Sequence, residues 1–254
     1  MKKYFFLIKV FVIFTFFVPL YSSVPSVSTG LPTNISNNAA DCEGNIYDAG
    51  GLMCDLRGIC WNTTGTPTIA DSKDEYSGNF GVGSFPGSLT GLSPKTLYFV
   101  RAYAHNSDGY GYGNEESFWT LANEPTLQSG HLKIRSVTYS TAYLKWKRGD
   151  GEKCIVVMKE NSNFTQFTLI DGWSHIANDN FQFAQTDPYE QGRIVYIGTG
   201  NTLTVTGLQP NTTYYVYVVE FNGSENVEQY DNTVNYLTGA GAYIRWFTTP
   251  EGLP

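Results

Sequence analysis

Cysteine is the residue type in this chain with the clearest chemical use. The four cysteines are Cys42, Cys54, Cys60 and Cys154, and in an oxidising compartment such residues form disulfides. Cys54 and Cys60 lie on one predicted strand, about 20 Å apart at roughly 3.3 Å per residue, which is too far to bridge. Cys42 can therefore pair with either of them, or all can be free buried thiols. Cys154 is most simply a small core residue.

Side chains that bind metals or catalyse reactions form no familiar motif. The histidines at 105, 131 and 175 are scattered, and no C-x-x-C, H-E-x-x-H or D-x-D-x-D-G string occurs. There is no G-x-S-x-G string, and the glycine-rich strings are turns without a following helix. Three loop carboxylates are the weak calcium candidates: Asp171, Asp179 and Asp187. We therefore expect no enzyme activity, no metal and no cofactor.

Aromatic side chains are the one feature that suggests binding. The polar segment from about 160 to 193 contains four candidates for ligand contact, namely Trp173, Phe181, Phe183 and Tyr189. Exposed rings of this kind stack on sugars or anchor a protein partner. The alternative is that these rings cover a sheet edge or form a small satellite core, because a long ordered insertion needs apolar anchors of its own.

Composition indicates strands rather than helices. Of 254 residues, 15% are aromatic, 26 are glycine and only 15% are charged, whereas helices favour Ala, Leu, Glu and Lys. This length accommodates two domains, each able to bury a core. The formal net charge of −7 argues against nucleic acid as a partner, since phosphate-backbone binding needs clustered Lys and Arg.

The N-terminus has the pattern of a signal peptide. Lys2 and Lys3 precede an apolar run from 4 to 20, and small residues follow at Ser22 and Ser23. We expect residues 1–23 to be removed, with the chain secreted or held at the cell surface and not inserted in a membrane afterwards. The alternative is an uncleaved anchor, because a lysine at position 9 can snorkel and lengthen the span.

A repeated string divides the rest of the chain. The string L-S-P-K-T-L-Y at Leu92–Tyr98 returns as L-Q-P-N-T-T-Y at Leu208–Tyr214. The first leucine of each copy ends a T-G-L step, and each copy opens a long predicted strand. The two tyrosines lie 116 residues apart, more than the roughly 100 residues of an ordinary sandwich. We therefore predict domains at 24–123 and 124–250, an insertion at about 160–193, and a tail or linker start at 251–254.

Several motifs match a known family in order. The first domain contains G-N-I-Y-D-A-G-G, R-G-I-C-W-N-T and S-F-W-T; the second contains L-K-W-K-R-G-D-G, D-G-W-S and F-T-T-P. These patterns resemble two types of fibronectin type III-like repeat from bacterial secreted and surface proteins. The resemblance implies tandem immunoglobulin-like β-sandwiches, with Trp61 and Trp146 as structural residues and Tyr98 and Tyr214 as tyrosine corners.

The resemblance also bears on the cysteines and on function. The family pattern carries cysteines at the positions of Cys42 and Cys60 but not of Cys54, which implies a Cys42–Cys60 disulfide worth about 3 kcal/mol. We expect a non-catalytic structural or adhesive module, acting as a spacer or in protein–protein interaction with an unknown extracellular protein or glycan. The alternatives are a carbohydrate-binding accessory module and the N-terminal part of a truncated secreted hydrolase, since a fold alone does not establish a function.

Overall fold

The regular structure of this chain consists of strands. The computed structural model describes residues 22–164, 169–173, 175–186, 192–223, 235–236 and 244–252. Most of the expected signal peptide, together with Tyr189 and Asp187, lies outside the described residues. Every element in the described part is a β-strand, as the all-β prediction requires. None of these residues forms a helix long and apolar enough to cross a membrane.

The first eight strands build one sandwich. Their bounds are β1 (Ser26–Thr29), β2 (Ala39–Asp48), β3 (Cys54–Asn62), β4 (Ser72–Phe80), β5 (Gly83–Thr90), β6 (Leu97–Asn106), β7 (Gly109–Tyr112) and β8 (Glu116–Trp119). A three-stranded sheet has the order β1-β2-β5, and a five-stranded sheet has the order β4-β3-β6-β7, with β8 also pairing with β6. All of these pairings are antiparallel.

The remaining strands repeat this arrangement. Their bounds are β9 (Gly130–Val137), β10 (Ala142–Lys147), β11 (Lys153–Glu160), β12 (Arg193–Gly198), β13 (Thr202–Val205), β14 (Thr213–Asn222), β15 (Asn235–Tyr236) and β16 (Arg245–Thr248). The sheets have the orders β13-β10-β9 and β12-β11-β14-β15, with β16 pairing with β14. In sequence and in space, β9 to β16 therefore correspond one by one to β1 to β8 of the first sandwich.

The core of each sandwich follows from alternation along its strands. On β6, Tyr98, Val100 and Ala102 lie in the same buried cluster as Ile46 and Phe85 of the opposite sheet, because every second side chain of a strand faces the same way. The expected core tryptophans are in place, with Trp61 in this cluster and Trp146 in that of the second sandwich. Two antiparallel sheets over one core define an immunoglobulin-like sandwich.

The second sandwich has an additional core on the outer face of its five-stranded sheet. Ile155, Val157 and Tyr217 point away from the central core and are covered by Phe164 of the insertion and Tyr236 of β15. Strand β11 is consequently buried on both faces, with five consecutive buried residues from Cys154 to Met158. A continuous apolar run, here C-I-V-V-M, is typical of such a strand.

The segment that joins the sandwiches is bonded to the first one. The Leu121 amide donates to the Ser36 carbonyl at 3.1 Å, and the Leu121 carbonyl accepts from the Lys95 amide at 3.1 Å. Leu121 and Ala122 are both buried. The chain therefore leaves the first sandwich along a fixed path.

Candidate functional site

The insertion between β11 and β12 is attached to the second copy of the T-G-L step. The Phe181 amide donates to the Thr206 carbonyl at 2.9 Å, and the Thr206 amide donates to the Asp179 carbonyl at 2.9 Å, which forms a short parallel bridge. The Gln182 side-chain amide donates to the Gly207 carbonyl at 3.0 Å. The insertion thus lies along the edge of the sandwich at the corner that the repeated string forms.

Phe181 is a core residue. Its side chain is 1% exposed, and its ring meets that of Tyr214 edge-on, with centroids 5.0 Å apart and an interplanar angle of 81°. The Arg193 guanidinium lies 5.1 Å from the centre of the Phe181 ring. The prediction that Phe181 contacts a ligand is therefore wrong, because a ring that is 1% exposed has no face accessible to a ligand.

Two of the predicted contact residues remain accessible. Trp173 is 42% exposed and Phe183 is 76% exposed. They belong to different turns, since the Trp173 amide donates to Ile170 and the Phe183 amide donates to Asn180. Of the four candidate aromatics, the structure thus leaves Trp173 and Phe183 at the surface, encloses Phe181, and does not describe Tyr189.

A half-buried carboxylate, that of Asp171, lies two residues before Trp173. The Asp171 carboxylate accepts a hydrogen bond from the Tyr236 amide at 2.8 Å, and the Tyr236 hydroxyl donates to the Trp173 carbonyl at 3.3 Å. Burial raises the pKa of Asp171, and the bond from Tyr236 opposes that rise. Within the described part of the chain, no group of three or more His, Cys, Asp or Glu side chains is placed to hold a metal ion.

An ion pair that the sequence reading missed connects a loop to β14. Glu220 is fully buried, and its carboxylate accepts from Arg148 Nε at 2.8 Å and Arg148 Nη2 at 2.7 Å. The Gly149 amide adds a bond at 2.8 Å and the Ser129 hydroxyl adds another. The sequence signal is a glutamate inside the apolar run V-V-E-F, because a carboxylate there needs a cation and further donors.

The repeated string forms the same corner twice. The Ser93 amide donates to the Tyr98 hydroxyl at 3.0 Å, and the Gln209 amide donates to the Tyr214 hydroxyl at 2.8 Å. In each copy the tyrosine therefore ties the start of its strand to the preceding turn, which is the role that the resemblance implied for both residues.

Each corner also contains a buried threonine that sequence reasoning did not single out. The Thr120 hydroxyl donates to the Ser93 carbonyl at 2.6 Å and accepts from the Thr96 amide at 3.0 Å. Thr249 makes the same pair of bonds with Gln209 and Thr212, at 2.6 and 3.0 Å. The available signal was the threonine that ends S-F-W-T and the one that precedes the proline of F-T-T-P. These corners are therefore structural.

The expected Cys42–Cys60 disulfide is wrong, because all four cysteines are buried free thiols. Ile59 and Trp61 belong to the core, so Cys60 between them points to the opposite face of β3, whereas Cys42 faces the core. The Cys60 thiol donates to the Arg101 carbonyl at 3.4 Å. Burial raises the pKa of the Cys42 and Cys60 thiols to about 12, so thiolate is scarce at neutral pH.

Several solved structures are similar to this chain in fold. No family profile matches this chain. The FN1–FN3 domains of chicken CNTN1 are 14% identical over 91% of this chain, with a TM-score of 0.40, and the chain spans 65% of that fragment. A redesigned β-sandwich protein is 20% identical over 50% of this chain and 93% of its own, with a TM-score of 0.31.

A bacterial protein is also similar. The sensor domain of the anti-sigma factor RsgI4 from Pseudobacteroides cellulosolvens is 16% identical over 40% of this chain and 98% of its own, with a TM-score of 0.33. The class of this chain follows from its own strand order and cores: it is an all-β protein of two immunoglobulin-like, fibronectin type III-like sandwiches.

Proposed function

We propose that this chain is a non-catalytic extracellular module that acts as a spacer and presents adhesive surfaces to a partner. The observation that carries the proposal is the bonded junction between the sandwiches. Asn123 accepts a bond from the Asn37 side-chain amide at 3.0 Å through Oδ1, and another from the Asn222 side-chain amide at 2.9 Å through its carbonyl. One linker residue thus bonds to both sandwiches.

A second contact crosses the same junction. The Lys95 ammonium of the first sandwich lies 2.9 Å from Glu152 Oε1 of the second. The Glu152 carboxylate also accepts from the Gly223 amide at 3.0 Å through its other oxygen. Two domains joined by a small polar interface ordinarily move relative to each other. Hydrogen bonds from the linker to both sandwiches oppose that motion, which supports a spacer of defined length.

Small-angle X-ray scattering of the secreted chain tests the spacer. We expect one compact range of shapes for the wild type and a broader distribution for Lys95→Ala/Asn123→Ala. Lys73→Ala is the matched control, because its ion pair with Glu75, at 3.6 Å, lies within one sandwich. A wild type as broadly distributed as the double variant would contradict the spacer, and turnover of a peptide or glycan substrate would contradict the non-catalytic assignment.

A second candidate function is carbohydrate binding, which the exposure of the Trp173 ring favours. Indole faces of this kind stack on sugar rings. A glycan array with wild type, Trp173→Ala and Phe183→Ala separates the candidates. Binding lost only in Trp173→Ala would assign the ring to a sugar, and silence of the wild type would remove this candidate for the glycans tested.

A further inference from the structure

The three-stranded sheet of the second sandwich has a basic outer face. Residues 125–149 contain no Asp or Glu, and the side chains that point away from the core on β9 and β10 include four exposed cations: Lys133, Arg135, Lys145 and Lys147. The alternating residues Leu132, Leu144 and Trp146 are in the core. The third strand, β13, carries no charged residue. We refer to the four cations as the basic face.

The cations of the basic face are close together. Lys145 pairs directly with Lys133, and residues opposite each other in antiparallel strands are about 5 Å apart. None of the four takes part in an ion pair among the described residues. Like charges placed opposite each other destabilise a sheet, so an anionic partner would relieve a repulsion that the chain itself leaves in place.

The equivalent sheet of the first sandwich has the opposite charge. Residues 22–53 and 80–94, which contain all of β1, β2 and β5, include no Lys, Arg or His. Asp41 and Glu43 point outward on β2, opposite Ser88 and Pro86 of β5. The Asp74 carboxylate reaches the edge of this surface, where it accepts from the Ser88 amide at 2.9 Å. We call Asp41, Glu43 and Asp74 the acidic face.

We propose that the basic face of one copy binds the acidic face of a second copy of this chain. The basic face lies on the three-stranded sheet of the second sandwich; Asp41 and Glu43 lie on the corresponding sheet of the first, with Asp74 of β4 at its edge. The charges of the two faces are complementary, which steers association and fixes register. This inference rests on the proposed function as an interaction module and names its partner. The overall charge of −7 also disfavours a free polyanion, since the chain as a whole would repel it.

The pairing joins two different surfaces. Two copies can satisfy both faces in an isologous two-fold dimer, in which the two basic–acidic contacts are related by the symmetry axis. A heterologous, head-to-tail contact would instead close into a ring or continue as an open chain. Because the groups are exposed, their attraction is screened by salt over a Debye length of about 10 Å at 0.1 M. Self-association is therefore expected at low ionic strength and lost at high ionic strength.

Sedimentation velocity with charge-reversed variants tests the proposal. Lys133→Glu/Lys145→Glu leaves two acidic faces, and Asp41→Lys/Glu43→Lys leaves two basic faces. We expect each variant alone to lose self-association at about 0.02 M salt, where screening is weak, and a mixture of the two to regain it. Asp108→Lys/Glu251→Lys is the matched control for Asp41→Lys/Glu43→Lys, because it makes the same change in net charge at two exposed residues outside both faces.

Several outcomes would overturn the inference. These are a wild type that stays monomeric at low salt, variants that associate as the wild type does, and a mixture that does not recover association. Binding of heparin or of DNA through Lys133 and Lys145 in a monomeric wild type would assign the basic face to an anionic polymer instead. Circular dichroism of each variant checks folding. The scattering profile of the monomer tests the spacer separately, since neither face includes Lys95, Asn123 or Glu152.

Discussion

Corresponding glycines of the two sandwiches have the same backbone conformation but different neighbouring atoms. Gly91 and Gly207 are the central residues of the two T-G-L steps, with φ of 70° and 68°. A Cβ atom at Gly91 would meet nothing within 4 Å, whereas one at Gly207 would lie 2.1 Å from Asn180 Oδ1. The corner is therefore a local structure that both sandwiches share, and in the second it has become the place where an insertion binds.

The outer faces of the five-stranded sheets show the same divergence. In the first sandwich Tyr103 lies across Gly58, where a Cβ would come within 2.7 Å of the Tyr103 hydroxyl, and that hydroxyl donates to Glu75 at 2.7 Å. In the second sandwich Tyr217 and its neighbours are covered by Phe164 and Tyr236. The outer face of the first sheet carries the Tyr103 side chain, whose hydroxyl is hydrogen-bonded. The outer face of the second is covered by side chains from other segments of the chain.

Removing the anchor of the insertion should give the largest effect. We expect Phe181→Ala to lower the free energy of unfolding of the second sandwich by about 4 kcal/mol, since it leaves a cavity in a close-packed core. Phe183→Ala, at a site 76% exposed, should change it by less than about 0.5 kcal/mol. Urea unfolding measures both, and equal effects would contradict the different roles of these rings.

The buried ion pair of the second sandwich comes next. We expect Glu220→Ala to cost about 3 kcal/mol, because it leaves the Arg148 guanidinium without its counter-ion. The exposed Glu251→Ala serves as the control. Hydrogen exchange with mass spectrometry should show the loss of protection in residues 130–222 only. Loss of protection in the first sandwich would mean that the two sandwiches unfold as one unit.

The two glycines provide a direct test of the comparison. Gly91→Ala should cost about 1 kcal/mol, the strain of an L residue in the left-handed region. Gly207→Ala should cost about 1 kcal/mol more, because the new methyl group displaces Asn180 and the insertion bonded beside it. Thermal unfolding of the two single variants measures the difference. Equal costs would show that the insertion does not depend on this contact.

The corner tyrosines should respond alike. Tyr98→Phe and Tyr214→Phe each remove the acceptor of one backbone amide, so we expect each to cost about 1 kcal/mol. The bond lengths of 3.0 and 2.8 Å give no reason for a larger loss in either sandwich. Urea unfolding of both variants is the measurement, and costs that differ by a factor of two would end the equivalence of the corners.

The junction should show the smallest effect. The bond from Lys95 holds the pKa of Glu152 in the folded protein below its usual value. The pair therefore stabilises the folded state fully at a pH above the pKa of Glu152 in the unfolded chain. This stabilisation is lost as the pH falls through the lower pKa of Glu152 in the folded protein. For an exposed pair we expect about 0.5 kcal/mol. Unfolding of the wild type and Lys95→Ala as a function of pH should differ near neutrality and converge in acid.

Much of the fold could be predicted from local patterns. The alternation on β6 and the two L-x-P-x-T-x-Y strings predict two sandwiches, because strand periodicity and turn chemistry are properties of short segments. The spacing of Tyr98 and Tyr214 also predicts an insertion. The position of the insertion on the sheet could not be predicted, since Phe164 packs on Tyr217 and Phe181 packs on Tyr214, which are distant in sequence.

The cysteines show where a pattern failed. A position in a motif says little about the direction of a side chain. The neighbours Ile59 and Trp61 are a better guide to Cys60, because successive side chains of a strand point to opposite faces of the sheet. The pair Arg148 and Glu220 was missed for a related reason. The run V-V-E-F signals that Glu220 needs a cation, but nothing in the local context of Arg148 identifies it as that cation. Only the approach of a loop to β14 brings the two charges together.

By itself, the sequence determined the strands, the corners and the charge of each segment, because these depend on residues a few positions apart. Tertiary structure alone decided that the insertion lies on the second T-G-L step and buries Phe181 while leaving Trp173 exposed. It also decided that Asp41 and Lys133 lie on corresponding sheets of opposite charge. Those outcomes depend on which faces pack together, and packing is set by contacts between distant parts of the chain.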